Sequence, residues 1–314
     1  MCKQLLAFSA IAFFLLLTGC ESDDVWASVA QERKDFHYTK PLNQGGRFSI
    51  ENTNGSVEIS GWDRNEVDIS GTKYARTKAY LDEMKIDVQA SAGVVSIRTV
   101  PPVERSHSNA GAKYIIRVPR RVAVDLAAST NGSIQLSSVE GGARIRTSNG
   151  RVTAKSVKGL VDITTTNGNV DIVDVTGGAR VATSNGTVEA DNLHGEFNAK
   201  TTNGGIKARL FDIPVNAPVK AATSNGPVEL TIDQVRSDVR ASTNNGHIHL
   251  RLPSNTNARV EARTSNSSIS SDLDVKGKVE WSKKHLEGTL GSGGPHIDLS
   301  TSNGSIRLMK GASI

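Results

Sequence analysis

Cysteine is almost missing from this 314-residue chain, which carries only Cys2 and Cys20. Two thiols build neither a disulfide framework nor a four-ligand zinc site. Aromatic side chains make up 4% of the residues, against 29 glycines. So little bulky apolar volume, among so much Gly, Ser, Thr and Asn, argues against a helical bundle or a deep apolar enzyme core. Charge of one sign is not concentrated either: 37 Lys and Arg face 32 Asp and Glu, a formal +5. That excess is too diffuse for a nucleic-acid binder, which gathers basic residues on one face. Beyond residue 20 no apolar run is long enough to span a bilayer. Length alone would allow two domains at roughly 100–200 residues each.

The first 19 residues differ from the rest. Lys3 precedes an apolar run from Leu5 to Leu17, the length of a secretory h-region and too short to cross a bilayer comfortably. Leu17-Thr18-Gly19-Cys20 follows and resembles the bacterial lipobox. The resemblance implies cleavage before Cys20, a diacylglycerol on its thiol and an acyl chain on the new amine. Stable anchoring takes two or more chains, at about 0.8 kcal/mol per buried CH₂. Cys2 leaves with the signal peptide, so no disulfide is expected. Glu21 stands where an Asp would resemble an inner-membrane retention signal. In a two-membrane bacterium this points to the outer membrane. Residues 20–42 are polar, mixed in charge and without period, and are expected to tether lipid to domain. Trp26 and Phe36 are the residues there able to pack on the domain edge.

A repeat dominates residues 43–314. An Asn-Gly pair, usually led by Thr or Ser, places Asn at 54, 131, 149, 167, 185, 203, 225, 245 and 303, with a degenerate copy at Asn266. From Asn131 to Asn203 each step is 18 residues, and later steps are 22, 20, 21 and 37. Three residues after each Asn stands a β-branched apolar residue, from Val57 and Ile134 through Val170 to Ile306. Five residues after it the column reads Ile59, Leu136, Ala154, Ile172 and onward to Leu308, broken at Ser271. Upstream, Ile145, Ile163 and Val181 hold one column, and Thr147, Thr165, Thr183 and Thr201 hold another. A period of two with one apolar face is a half-buried strand.

Two architectures share that pattern. Asn-Gly between alternating runs is a strong hairpin signal, which would give an antiparallel meander. A meander has no reason to hold both connection lengths constant over four repeats, and a propeller blade needs about 40 or more residues. The expected fold is therefore all-β: a single-stranded β-solenoid of about 18–22 residues per coil. Its right hand follows from strand twist and crossover chirality. Equivalent residues then stack about 4.8 Å apart. Asn131, Asn149, Asn167, Asn185, Asn203, Asn225, Asn245 and Asn303 are expected to form a turn ladder of buried, hydrogen-bonded amides. The extra residues of later repeats, such as Phe211–Pro218, fall at the second turn, a flank that often carries binding in solenoids. A short helix over Thr77–Asp87 is expected to shield the N-terminal edge, and the C-terminal edge near Leu308 shows no evident cap.

Asn54–Asp63 (NGSVEISGWD), Tyr114–Pro119 (YIIRVP), the repeats, and Glu287–Pro295 (EGTLGSGGP) before a final Thr-Ser-Asn-Gly resemble the bacterial β-strand-repeat family labelled "putative adhesin". The resemblance covers about residues 45–310. It implies a β-solenoid in the cell envelope and carries over no catalytic residue.

Candidate chemistry is sparse. His247 and His249 project from one exposed strand face, with Glu229 one coil away, but zinc normally needs three or four protein ligands. They read as two solvated histidines, and no metal site or cofactor is assigned. Asp162, Asp171, Asp174, Glu189 and Asp191 would suit calcium. Nearby Lys155, Lys158 and Arg180 compensate them, and the Gly-Gly-x-Gly-x-Asp repeat is absent. The Thr column shares parity with the buried residues, so it is no outward ice-binding array. Lys113, Arg117, Arg120 and Arg121 would suit anionic headgroups or acidic glycans, or an exposed turn. No nucleophile elbow appears. The expectation is a lipid-anchored, non-catalytic scaffold or adhesion module of the envelope. Its expected partners are the membrane and either an envelope glycan or another envelope protein. A glycan-active enzyme on the same fold and an envelope-stress component are the alternatives, which fold cannot separate.

Overall fold

The computed structural model describes residues 32–311 apart from 92, 103–109 and 282. The expected leader, Cys20 and Trp26 lie outside the described residues. The described residues form one compact unit.

Among the described residues the strands lie in two sheets, of 13 and 14 strands. One coil gives Val152–Lys158 to the first sheet and Val161–Thr164 to the second. The next gives Val170–Thr176 and Ala179–Ala182. Val152 lies opposite Val170, Ala154 opposite Ile172 and Ile163 opposite Val181, all in parallel. Each strand thus pairs with its own counterpart one coil on. This is the expected solenoid and not a meander.

Register makes the core. The apolar members of the columns through Val152, Ala154 and Ile163 are at most 5% exposed, Ser271 alone breaking the Ala154 column, and both sheets feed one apolar cluster. Burying a Val, Leu or Ile side chain contributes about 1.5–3 kcal/mol, so in-register stacking repeats that gain at every coil. A one-residue slip would turn each strand's apolar set outward.

The Asn-Gly arc owes its glycine to crowding. A Cβ on Gly150, Gly168, Gly186 or Gly204 would run into the carbonyl of the glycine one coil back. None of these glycines has a left-handed φ, whereas the type I′ hairpin turn requires φ > 0 at both central residues. The same carbonyls accept hydrogen bonds from the buried threonines: Thr147 Oγ1 donates to Gly132 O at 3.1 Å, Thr201 to Gly186 at 3.1 Å and Thr223 to Gly204 at 2.8 Å. At these positions a buried threonine satisfies the arc with its hydroxyl.

A second corner lies inside the longer strand of each coil. Ser138, Ser156, Asp174 and Asn192 have φ of 58, 54, 54 and 53°. The kink breaks the alternation, so Ala154 and Val157 both point inward. Short polar residues tolerate this left-handed backbone best.

At both ends spatial order departs from chain order. Gly46–Asn54 lies between Val94–Val100 and Val122–Asn131. His296–Thr301 lies between Val239–Thr243 and Ala258–Thr264, and Ile306–Lys310 between Ile248–Leu252 and Ile269–Ser271. The last coil of the chain is thus the penultimate coil of the stack.

The edges correct three expectations. Residues 20–42 are not tether throughout, since Glu32–Pro41 is a strand antiparallel to Glu66–Ala75. Phe36 holds it by packing against Tyr114, ring centroids 5.3 Å apart. The N-terminal edge is covered chiefly by antiparallel strands, Glu66–Ala75 on Gly111–Pro119 and Lys85–Ser91 on Val94–Val100. The expected helix is present as Lys78–Glu83, capped by Thr77, and its Leu81 joins Ala75, Met84 and Ala110 in a small separate cluster. The C-terminal edge does have a cover: the hairpin Val275–Trp281 and His285–Leu290 lies antiparallel on Ala258–Thr264.

Candidate functional site

The asparagine column is one continuous chain of amide hydrogen bonds. Asn131 Nδ2 donates to Asn54 Oδ1 at 2.7 Å, and the same bond links Asn149, Asn167, Asn185, Asn203, Asn225 and Asn245 each to the one before it, at 2.7–2.8 Å. Asn303 then donates to Asn245, and Asn266 to Asn303, both at 2.7 Å. The ladder follows spatial order, so the degenerate Asn266 comes last. The amides are exposed along the arc and not buried as expected. Their donors and acceptors face each other, which makes the ladder a rigid structural spine.

Four of the five acidic residues that suggested calcium are engaged elsewhere. Asp171 pairs with Arg151 at 3.1 Å, Asp162 with Arg144 at 3.6 Å and Asp191 with Arg209 at 3.4 Å, while Asp174 accepts from Asn192 at 2.7 Å. The basic stretch is also divided. Arg120 donates to Asp63 at 2.9 and 3.3 Å, and that contact holds the Asp63 carboxyl below its ordinary range. Arg117 lies over the Trp62 ring, 5.8 Å from its centre.

The histidine pair is drawn closer than its spacing suggested. His247 and His249 have ring centroids 4.2 Å apart, and His247 Nε2 lies 3.3 Å from Glu229 Oε1 on the neighbouring coil. One ligand atom from each of the three lies within 4.8 Å of the others, and all three side chains are half-buried. Burial, then His247, pushes His249 below the ordinary imidazole value, with Glu229 pulling the other way.

A concavity lies on the second-turn flank, where the longer repeats place their extra residues. A cleft of about 720 Å³ is lined among others by Phe211, Gln234, Arg251, Asn255 and Asn257. Its walls come from four successive coils, the last contributing Gly311. Leu210 O accepts from Asp233 N at 3.2 Å, tying two of these loops, and Thr256 Oγ1 closes the third on Pro253 O at 2.8 Å. Asn257 Oδ1 accepts from Ser292 N and Oγ at 2.8 and 3.0 Å. The cleft thus offers amides, a guanidinium and an aromatic edge on a fixed frame. The sequence located this flank through its insertions and could not show that the loops converge.

Among the described residues no helix is long and apolar enough to cross a membrane. The family model Toastrack DUF4097 matches residues 43–309. No curated protein matches the sequence. Similar solved structures include a "putative adhesin" from Bacteroides fragilis, 11% identical, covering 88% of this chain and 97% of that one, with a TM-score of 0.38. A "putative adhesin" from Parabacteroides merdae is 8% identical over 88% and 96% of the two chains, with a TM-score of 0.37. A "putative lipid binding protein" from Parabacteroides distasonis is 11% identical over 88% and 96%, with a TM-score of 0.32.

Proposed function

The chain belongs to the Toastrack DUF4097 family, and from that premise we propose that it is a non-catalytic, glycan-binding module of the bacterial cell envelope, anchored by lipid on Cys20. The observation that carries the reading is the second-turn cleft. Loops vary in length on one flank while the strands beneath them keep register, the arrangement in which solenoids present a binding surface. Asn255 supplies a paired donor and acceptor, Gln234 and Asn257 supply amide N–H donors whose own oxygens are held by Arg236 and Ser292, Arg251 a charged donor, and Phe211 an apolar edge. That set suits a polyhydroxylated, acidic ligand such as an envelope glycan. The lipobox-like Leu17–Cys20 supplies the address, outside the cytoplasm, and on the outer membrane where the source has two.

Two measurements test it. A chain of residues 31–314 is applied to arrays of envelope and host glycans, with mass spectrometry of the bound glycan. The reading predicts binding without cleavage, weakened about 10–100-fold by Arg251→Ala, the size expected for losing a charged hydrogen bond. Cleaved product with new unsaturated ends would replace it with a lyase. Radiolabelled palmitate should enter the wild type and not Cys20→Ser, and equal labelling of both would remove the anchor.

A further inference from the structure

The geometry points to a divalent transition-metal site formed by Glu229, His247 and His249, of the zinc, nickel or copper class. Three observations carry it. The ligand atoms come from adjacent coils held in register, since Glu229 lies directly opposite His249 in the parallel pair. His247 is two residues along the same chain segment, and the three ligand atoms lie within 4.8 Å of one another. Tetrahedral bonds of about 2.0–2.1 Å place ligand atoms ~3.3 Å apart, the separation already present between His247 Nε2 and Glu229 Oε1. Small side-chain rotations would bring His249 to the same distance, with no change in the backbone.

The donor set selects the ion. Two imidazoles and one carboxylate oxygen favour borderline cations over calcium or magnesium, which take oxygen ligands. Three protein ligands leave a fourth position to water or to an oxygen of a bound ligand. The neighbouring cations do not prevent binding. Arg307, opposite His249, is held by Asp272 at 3.2 Å, and Lys207 faces Glu229 from its other side. Arg251 is on the same strand as His249, with its guanidinium toward Met309. Their positive charge limits affinity and makes the Glu229 carboxylate essential.

The test uses purified full-length protein in detergent, stripped with chelator and titrated with Zn(II) by calorimetry. One equivalent is expected to bind, and zinc should raise the melting temperature of the wild type. His247→Ala, His249→Ala and the near-isosteric Glu229→Gln should each weaken binding by more than the ~10–100-fold that outer-shell changes cost. His194→Ala, at an imidazole paired instead with Asp212 at 2.9 Å, should leave it unchanged. Should an alanine variant fail to fold, Glu229→Gln against the wild type decides the matter. Absence of binding by the folded wild type, or zinc binding that survives Glu229→Gln, overturns the site.

Discussion

At the scale of single residues, glycine and asparagine of the arc do different work. Asparagine links exposed amides along the stack, and water can replace part of what is lost on truncation. Glycine makes room for the neighbouring coil's carbonyl, and nothing can replace room. Asn167→Ala breaks the bonds to Asn149 and Asn185 and is expected to cost about 1–2 kcal/mol, at 0.5–1.5 per hydrogen bond. Gly168→Ala forces a Cβ against Gly150 O and should cost about 1–3 kcal/mol, the range for overpacking. Gly142 is the internal control, since a Cβ there meets nothing nearer than Leu160 O at 3.5 Å. Gly142→Ala should be neutral within about 0.5 kcal/mol or slightly stabilising. Denaturant melts of the three variants check the ranking, and equal losses at Gly142 and Gly168 would contradict it.

At the scale of elements, a coil paired on both sides matters more than one at an end. Solenoid stability is approximately a sum of nearest-neighbour interfaces. The last coil of the chain is inserted, so deleting residues 296–311 removes two interfaces and leaves Ala258–Leu290 without its parallel partner. Hydrogen exchange should then become fast over 258–290 while 134–210 stays protected. Unchanged protection over 258–290 would contradict the inserted order. That order was not legible in the sequence. Asn303 and Asn266 carry the same mark, and each amide bonds whichever neighbour is adjacent. The repeats themselves were legible because every member of a column meets the same surroundings, so Val152, Val170 and Val188 answer to one constraint. Glu32–Pro41 was missed for the opposite reason: it is an antiparallel edge strand whose side chains are mostly exposed, and only Phe36 records its packing. The histidine pair was visible, but its ring separation and the approach of Glu229 depend on rotamers that spacing does not encode.

At the scale of the whole molecule, two long sheets built by register give a frame on which loops vary without disturbing the core. The cleft and the Glu229–His247–His249 cluster both use that frame, taking groups from successive coils at fixed offsets. Both therefore depend on parallel, in-register stacking. Residues 31–314 contain no cysteine, so spin labels can be placed at will on the exposed column Arg144, Asn198, Lys220 and Arg240, which are linked coil by coil. Electron–electron distance measurements from position 144 to positions 198, 220 and 240 should give about 14, 19 and 24 Å, three, four and five steps of the ~4.8 Å strand spacing. Distances that fail to rise by a uniform step, as antiparallel neighbours would produce, would contradict the stack.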